Sequence, residues 1–238
     1  MGIFIRSTVF NIFLAVWTVF ITTLFLPTLL TKNQKMIALT ASVWAEVVMV
    51  ALKLICNINY NVEGKKNLPA SEPFIVASKH QSMWETVYLM KMLKKPVFIL
   101  KKELTSIPFY GWYLKWMGMI SIKREDGLQS IKHIIIETKR AFSQGRSLII
   151  FPEGTRIRPG ENADIQPGIV AIQKSYPEIP IVPISLNSGN FWRKGEWLRY
   201  PGTVQVHIGE PIYGKQISKA EFLDKIKEEI NNYSYTLD

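Results

Sequence analysis

The chain has 238 residues, of which 47% are hydrophobic and 20% charged, a composition that excludes an intrinsically disordered protein. Its 29 lysines and arginines exceed its 19 aspartates and glutamates, and the formal net charge of +10 favours anionic partners such as nucleic acid, anionic lipid or a phosphorylated substrate. A single cysteine, Cys56, excludes an internal disulfide, and the three scattered histidines form no zinc-binding pattern with it.

An uncharged, apolar stretch lies near the start of the chain. From Ser7 to Thr31 there are 25 residues without a charge, enough as a helix to cross a bilayer core of about 30 Å. A polar break at 32–35 separates it from a second apolar run, Met36 to Leu52, which carries only Glu46 as a charged residue. Two apolar helices joined by a short polar turn predict an antiparallel hairpin over 1–56.

Three interpretations of this hairpin compete. A cleaved signal peptide is disfavoured because the apolar stretch is too long and lacks a small-x-small cleavage site. Of the other two, a buried hairpin in a soluble protein and a membrane anchor, length and composition favour the anchor. Glu46 disfavours a fully lipid-exposed second span, because a carboxylate at the bilayer centre costs about 3 kcal/mol, so the hairpin could span twice or enter one leaflet. Both ends would emerge on the same side, where Lys53, Lys65 and Lys66 suit a cytoplasmic membrane surface.

From about Asn57 onward, short β-branched or aromatic runs alternate with helical stretches. The runs predicted to be strands are 74–78, 97–100, 119–122, 147–151, 181–186 and 203–208. The predicted helices are 82–94, 107–117, 127–144, 164–175 and 218–231. This alternation predicts an α/β domain over 57–238, with a mixed, largely parallel sheet flanked by helices.

His80 directly follows the predicted strand 74–78, at the carboxyl edge of an α/β sheet, where ligand sites gather. Glu85 lies five residues further on, one turn into the next predicted helix, a spacing that can bring its carboxylate against the imidazole. A histidine oriented by a carboxylate is an effective general base near neutral pH. These two residues are therefore the candidate catalytic residues.

Two further observations bear on this pair. Ser82-x-x-Glu85 also fits a capping box, so Glu85 could serve only to cap the helix, and the sequence leaves both interpretations open. The chain has no Gly-x-Ser-x-Gly nucleophile motif, and Cys56, at the end of the apolar hairpin, is a poor candidate for a nucleophile. Chemistry at His80 would therefore activate a substrate hydroxyl directly, without a covalent enzyme intermediate.

A second polar turn, Phe-Pro-Glu-Gly-Thr-Arg at 151–156, follows the predicted strand 147–151. Gly154 permits a tight turn, and Arg156 carries a planar guanidinium suited to a phosphate group. Glu153 could accept a hydrogen bond from a polyol hydroxyl, although it could equally pair with Arg156 at the surface. The sequence does not decide between these two roles.

Further cations follow two other predicted strands. Lys101 and Lys102 come after the strand 97–100, and Arg124 comes after the strand 119–122. Each of the three could line a phosphate pocket or be an ordinary solvated surface charge.

Four sequence blocks follow one another along the chain: His80-Gln-Ser-Met-Trp-Glu85; a run with Lys101, Glu103, Leu104, Pro108, Gly111, Gly118 and Arg124; Phe151-Pro-Glu-Gly-Thr-Arg156; and Val182-Pro183-Ile184. In this order and together, they resemble the glycerophospholipid acyltransferase family. The likeness covers about 70–215 and is greatest to the bacterial members that acylate 1-acyl-sn-glycerol 3-phosphate. One departure is Glu85, at a position where the family usually has aspartate.

The resemblance implies a fold like that of glycerol-3-phosphate acyltransferase, and it implies a mechanism. His80, held by Glu85, would remove a proton from the free hydroxyl of a lysophosphatidate while that oxygen attacks an acyl thioester, either acyl-CoA or acyl-carrier protein. The residues implied in binding the phosphate and glycerol are Arg156, Glu153, Gly154, Thr155, Arg124, Lys101 and Lys102.

The same resemblance implies the partners and the location. We expect the chain to act at an anionic membrane surface, on the inner (cytoplasmic) membrane, with its active site facing the cytoplasm. We expect no cofactor and no metal, and we expect no nucleic acid, because that partner would give the apolar hairpin no role. Two alternatives remain: an acyltransferase acting on glycerol 3-phosphate or another lysolipid, and a non-catalytic membrane module that binds anionic lipid.

Overall fold

The computed structural model describes residues 2–27, 33–161 and 163–231 of the chain. The helices that position the site are α1 (Ile3–Leu24), α2 (Gln34–Cys56), α3 (Trp84–Met92), α4 (Tyr110–Trp116), α5 (Leu128–Ser143), α6 (Pro167–Ser175) and α7 (Lys219–Asn231). The strands are β1 (Ile58–Glu63), β2 (Ile75–Ser78), β3 (Pro96–Lys101), β4 (Ile120–Ile122), β5 (Ser147–Ile150), β6 (Ile181–Leu186) and β7 (Gly202–Ile208).

These seven strands form one sheet in the order β1-β7-β6-β2-β5-β3-β4. The five strands from β6 to β4 run parallel to one another, while β7 lies antiparallel to β6 and parallel to β1. The predicted α/β fold with a mixed, largely parallel sheet is confirmed. Because β6, β2, β5, β3 and β4 share one direction, the loops that follow them meet at one edge of the sheet.

The sheet separates two hydrophobic layers. Successive residues of the central strands alternate between them: Val76 and Ile149 face the layer containing the hairpin, α3 and α4, and their neighbours face the layer containing α5, α6 and α7. Strands β2, β5 and β6 are buried along their whole length, which is why they appear in the sequence as continuous apolar runs. The loops that follow these three strands therefore leave the most deeply buried part of the sheet.

The apolar N-terminal segment forms the predicted antiparallel hairpin. The indole of Trp44 donates to Thr18 Oγ1 (3.0 Å), the indole of Trp17 lies 3.4 Å from the Trp44 carbonyl oxygen, and Cys56 lies against the carbonyl of Arg6. These contacts align the start of α1 with the end of α2. The predicted connection between the two helices falls partly on residues 28–32, which lie outside the described residues.

Both hairpin helices are long and apolar enough to cross a membrane, by length and composition. Only 11% of the most apolar stretch of α1 is buried inside the structure, against 39% for α2. Glu46 of α2 does not stand alone, because Lys91 of α3 lies 2.8 Å from its carboxylate. The hairpin thus packs on the α/β domain while leaving much of its apolar surface exposed.

Strand β1 was not predicted from the sequence. Its sequence, INYNVE, contains two asparagines, and its burial alternates irregularly because it lies at the edge of the sheet. The predicted helix 107–117 is also shorter in the structure, where a turn of 3₁₀ helix over Lys102–Ser106 precedes α4.

Candidate active site

Three loops bring polar side chains together at the carboxyl edge of the sheet. The loop after β6 contains Ser188, the loop after β2 contains His80–Glu85, and the loop after β5 is 151–157. These three strands are adjacent in the sheet. The loops after β2 and β5 are joined by a backbone hydrogen bond from Ile157 N–H to the His80 carbonyl (2.8 Å). The two motifs that the sequence placed at strand ends therefore share one site.

His80 is held on three sides. Its Nδ1 lies 2.8 Å from Glu85 Oε1, and its backbone N–H donates to Glu153 Oε2 (2.9 Å). The imidazole stacks on the ring of Phe151, with ring centroids 3.9 Å apart. Its side chain remains 14% exposed, and within the described part of the chain no hydrogen bond is made to Nε2. Since Nδ1 is engaged by the carboxylate, Nε2 is the nitrogen free to exchange a proton with a substrate.

The carboxylate of Glu85 is fully buried and surrounded by donors. Oε1 accepts from the N–H groups of Gln81 and Ser82 (both 2.7 Å), besides its contact with His80. Oε2 accepts from the hydroxyls of Ser82 (2.8 Å) and Ser188 (2.7 Å). Burial by itself would raise the pKa of Glu85, but these hydrogen bonds and the neighbouring imidazole outweigh it and lower the pKa. Glu85 is therefore an ionised acceptor for the imidazole.

Glu85 also contacts the backbone just before the helix that carries it. It accepts the N–H of Ser82, as the glutamate of a capping box does, but Ser82 Oγ accepts the N–H of Trp84 (2.9 Å), and the N-cap residue Met83 provides no side-chain cap. Of the two interpretations that the sequence left open, the partner for His80 is present, whereas the capping box is present only in its hydrogen bond from Ser82 N–H to Glu85. The Glu85 carboxylate can contact both His80 and the loop N–H groups because it lies between the loop and the first turn of α3.

Glu153 lies inside the protein, and Lys79 is its charged partner. Lys79 is fully buried, and its ammonium lies 2.6 Å from Glu153 Oε1 and 2.6 Å from Asn231 Oδ1. The other Glu153 oxygen accepts the backbone N–H of His80. Burial raises the pKa of Glu153, and Lys79 and His80 oppose that rise. The alternative in which Glu153 merely pairs with Arg156 at the surface is wrong.

The rest of the 151–157 loop turns outward. Gly154 adopts φ of 68°, and a Cβ there would come within 2.8 Å of the Gln166 side chain, so the turn needs glycine. Thr155 is exposed and Arg156 is half-buried. None of the described carboxylates forms an ion pair with Arg156. Its guanidinium is thus available to an anion near His80.

The other predicted cations lie at the same edge of the sheet. Lys101 ends β3 and Lys102 begins the following 3₁₀ turn, and both are exposed. Arg124 begins the 3₁₀ turn Arg124–Asp126 after β4, and its side chain lies outside what the structure describes. The two lysines follow a strand next to β5, and Arg124 follows the strand beyond it.

A family model described as Acyltransferase matches residues 59–187, which is more than half of the chain. The match includes His80, Glu85 and the entire 151–157 loop. The chain belongs to the acyltransferase family. The resemblance found in the sequence is thereby confirmed.

The relatives of this chain include proteins named 1-acyl-sn-glycerol-3-phosphate acyltransferase. That of Pseudomonas aeruginosa is 34% identical over 72% of this chain and 66% of its own length, and that of Streptococcus pneumoniae is 30% identical over 72% and 62%. The chain thus spans somewhat less than two thirds of the length of these curated relatives. A crystal structure of the 1-acyl-sn-glycerophosphate acyltransferase of Thermotoga maritima aligns with a TM-score of 0.73, over 95% of both chains, at 23% identity. That likeness shows a shared fold.

Sequence reasoning missed three residues of the candidate site. Lys79 precedes His80 and resembles an ordinary surface lysine, yet it is 0% exposed. Ser82 was considered only as a cap, and Ser188 was not considered for the site at all, although both donate to Glu85. The sequence showed that Ser188 follows a predicted strand. It did not show that this strand lies beside β2, and so it gave no reason to place Ser188 near Glu85.

Replacing Lys79 with methionine is expected to lower the free energy of unfolding of the chain by about 3–5 kcal/mol, because it leaves the buried Glu153 carboxylate without its cation. Urea unfolding of the full chain in detergent, followed by circular dichroism, measures this. Lys91→Met is the matched control, since the Lys91–Glu46 pair is 27% and 49% exposed and should contribute at most about 1 kcal/mol. Equal losses in the two variants would contradict the importance of the buried pair.

Proposed function

We propose that the chain transfers a fatty acyl group from an acyl thioester to the sn-2 hydroxyl of 1-acyl-sn-glycerol 3-phosphate, giving phosphatidic acid. The observation that carries the proposal is the 2.8 Å contact between His80 Nδ1 and Glu85 Oε1, in a member of the acyltransferase family. The names of the relatives in Pseudomonas aeruginosa and Streptococcus pneumoniae support the choice of acceptor. The thioester is acyl-CoA or acyl-carrier protein.

The reaction proceeds without an acyl-enzyme. Nε2 of His80 takes the proton of the acceptor hydroxyl as that oxygen attacks the thioester carbonyl, forming the new C–O bond. Glu85 holds the imidazole through Nδ1 and stabilises the positive charge that it acquires. When the tetrahedral intermediate collapses, the C–S bond breaks, and the proton on Nε2 passes to the departing thiolate. His80 is then neutral again and ready for another turnover.

The tetrahedral intermediate carries an oxyanion that needs a donor. The backbone N–H groups closest to His80 are already used: those of Gln81 and Ser82 donate to Glu85, and that of Trp84 donates to Ser82. The oxyanion donor is then another backbone N–H of the first turn of α3 or a cationic side chain. Lys101 is a candidate, because it ends a strand of the same edge of the sheet and is exposed.

We assign the phosphate of the acceptor to the cations around the 151–157 loop. Arg156, which has no carboxylate partner among the described residues, is the main ligand. Lys101, Lys102 and Arg124 complete the cationic edge. Thr155 and the turn at Gly154 lie beside this phosphate. For Glu153, whose carboxylate is buried against Lys79, we favour a role in fixing His80 over a direct contact with the glycerol.

Replacing Arg156 with alanine is expected to raise KM for lysophosphatidate by about 10-fold or more with a smaller effect on kcat, since a charge-assisted hydrogen bond contributes about 1.5–3 kcal/mol. Steady-state kinetics at fixed thioester concentration measure the change. Arg158→Ala is the matched control, because Arg158 is an exposed arginine directly after the 151–157 loop. An unchanged KM in Arg156→Ala, or an equal rise in both variants, would contradict the assignment.

We propose that residues 1–56 anchor the chain in one leaflet and that 57–238 form the catalytic domain. α1 contacts the domain near both ends: Ser7 accepts the N–H of Arg199, and the carbonyl of Thr22 lies 3.3 Å from the hydroxyl of Tyr113. These two points lie about 22 Å apart along a helix. A helix held to the domain over that length cannot leave it to cross a bilayer core of about 30 Å.

The outward face of the hairpin supports the same arrangement. The apolar side chains exposed on α1 are Ile5, Val9, Ile12, Val16, Val19 and Phe20, with others, which recur at the spacing of one helical face. An enzyme resting on the inner (cytoplasmic) membrane in this way would take lysophosphatidate from the leaflet. Its net charge of +10 suits an anionic membrane surface, and both thioester donors would reach it from the cytoplasm.

The test is an acyl-transfer assay with the purified full chain in phospholipid vesicles. Acceptors are 1-acyl-sn-glycerol 3-phosphate, glycerol 3-phosphate and a lysophosphatidylcholine, each offered with acyl-CoA and with acyl-carrier protein. We expect phosphatidic acid from the first acceptor, identified by mass spectrometry. Turnover with either of the other acceptors alone would overturn the choice of substrate. Absence of turnover with all of them would favour a non-catalytic lipid-binding module.

A further inference from the structure

The loop after β6 forms hydrogen bonds with the loop that carries His80 and Glu85. Ser188 Oγ donates to Glu85 Oε2 (2.7 Å) and lies 3.0 Å from Ser82 Oγ, and the N–H of Gly189 donates to the side-chain oxygen of Gln81 (3.0 Å). Ser188 is fully buried. Its contact therefore joins two segments that are 103 residues apart in the chain.

We propose that Ser188 is a positioning residue for the acyl-transfer reaction, which acts by fixing the carboxylate of Glu85 against His80. This inference rests on the proposed function, since it assumes that His80 is the general base. Ser188 need not touch either substrate in this role.

The geometry around Glu85 supports the proposal, because its two oxygens have different tasks. Oε1 faces His80 and the two loop N–H groups, while Oε2 accepts from the hydroxyls of Ser82 and Ser188. The terminal torsion of a glutamate is intrinsically broad, so its carboxylate rotates unless both oxygens are held. Of the donors just described, only Ser188 comes from outside residues 80–82. It therefore ties the orientation of the carboxylate to the central sheet.

Ser188 also affects the charge on Glu85. A hydroxyl that donates to a buried carboxylate favours the ionised form, and this contact is among the causes of the lowered pKa of Glu85. An ionised carboxylate keeps the proton of the neutral imidazole on Nδ1, which leaves Nε2 free to act as the base. Ser188 therefore supports His80 as a base in two ways, by fixing the orientation of the Glu85 carboxylate and by favouring its ionised form.

The chain offers a matched control three residues away. Ser185, on β6, is also buried, but its hydroxyl has no hydrogen-bond partner among the described residues. Ser185→Ala and Ser188→Ala remove the same atom from the same buried region. Only the second substitution removes a donor to Glu85.

The first measurement separates kcat from KM. Ser188→Ala is expected to lower kcat about 10- to 100-fold, as for one hydrogen bond to a charged group, with KM for lysophosphatidate and thioester unchanged. Ser185→Ala should match the unsubstituted chain in both constants. Ser188→Cys, which keeps a weaker donor, should fall between them. A normal kcat in Ser188→Ala, or a loss that appears in KM, would overturn the proposal.

The second measurement asks whether Ser188 acts through Glu85. In a Glu85→Ala background no carboxylate remains to be held, so adding Ser188→Ala should change the residual kcat by less than about 2-fold. A loss as large as in the unsubstituted background would show that Ser188 acts on its own or only through the fold. Unfolding midpoints of all variants are recorded, and a midpoint loss in Ser188→Ala that accounts for its kinetic loss would also overturn the role.

Different results would contradict the proposed function and the role of Ser188. If the unsubstituted chain transfers no acyl group, or if His80→Ala remains active, the proposed function itself is wrong. If the chain is active and depends on His80 while Ser188→Ala behaves like Ser185→Ala, only the role of Ser188 is wrong.

Discussion

Replacing His80 with alanine is expected to lower kcat for acyl transfer by about 10²–10⁴-fold, the contribution of a positioned general base. The fold should survive, because Glu85 keeps the N–H groups of Gln81 and Ser82 and the hydroxyls of Ser82 and Ser188 as donors. The buried carboxylate is therefore not left unsatisfied. Steady-state turnover with lysophosphatidate, together with the unfolding midpoint, measures both parts of the expectation.

His133→Ala is the control for His80→Ala. His133 is an exposed histidine on α5, in the layer on the opposite side of the sheet from the hairpin, so the same substitution there should leave kcat and the unfolding midpoint unchanged. Turnover in His80→Ala within about 3-fold of the unsubstituted chain would remove the general-base assignment. A collapse of the midpoint would mean that the loss of activity reports unfolding instead.

The sequence predicted the position of His80 and Glu85 because both signals are local. A continuous apolar run marks the buried strand β2, and a polar loop after such a strand lies at the carboxyl edge of the sheet. The five-residue spacing allows the carboxylate to return to the imidazole within one loop. The same rule placed Arg156 at that edge, since β5 is also a continuous apolar run.

The parts of the site that could not be predicted depend on strand order. The sequence does not say that β2 lies between β6 and β5, and this order is what places Ser188 on one side of Glu85 and Glu153 beside His80. Lys79 is a related case. A lysine is usually exposed, and its burial becomes understandable only once Glu153 is seen within 2.6 Å.

The edge strand β1 illustrates another limit. Among the described strands it pairs only with β7, in parallel register from Ile58 with Gly202 to Glu63 with His207, and most of its side chains are partly or fully exposed. A strand that buries so few side chains does not require an apolar run, so the hydrophobic periodicity of its sequence does not predict a strand there. The hairpin is the opposite case, because its apolar composition alone predicted two helices.

Glu85 gives the second large expected effect, and three substitutions separate its two roles. Glu85→Gln keeps an oxygen that can accept the N–H groups of Gln81 and Ser82, so these two hydrogen bonds survive, but the charge that stabilises protonated His80 is lost. We expect kcat to fall about 10³-fold or more, comparable to the loss when a carboxylate partner of a catalytic histidine becomes an amide. Glu85→Ala should lose at least as much activity, and it should also lower the unfolding midpoint because two buried N–H groups lose their acceptor.

Glu85→Asp tests whether a negative charge on a shorter side chain is enough for catalysis. Aspartate restores the negative charge with a side chain one methylene shorter, and it is the residue usually found at this position in the family that the sequence resembles. It should reach His80 with a longer contact and keep activity within about 10-fold of the unsubstituted chain, as expected for one weakened hydrogen bond. If Glu85→Gln is as active as Glu85→Asp, Glu85 acts only as an acceptor for the loop N–H groups, and its charge has no part in catalysis. If both are as inactive as Glu85→Ala, the site depends on the exact length of the glutamate, as expected when Oε2 must reach the hydroxyls of Ser82 and Ser188.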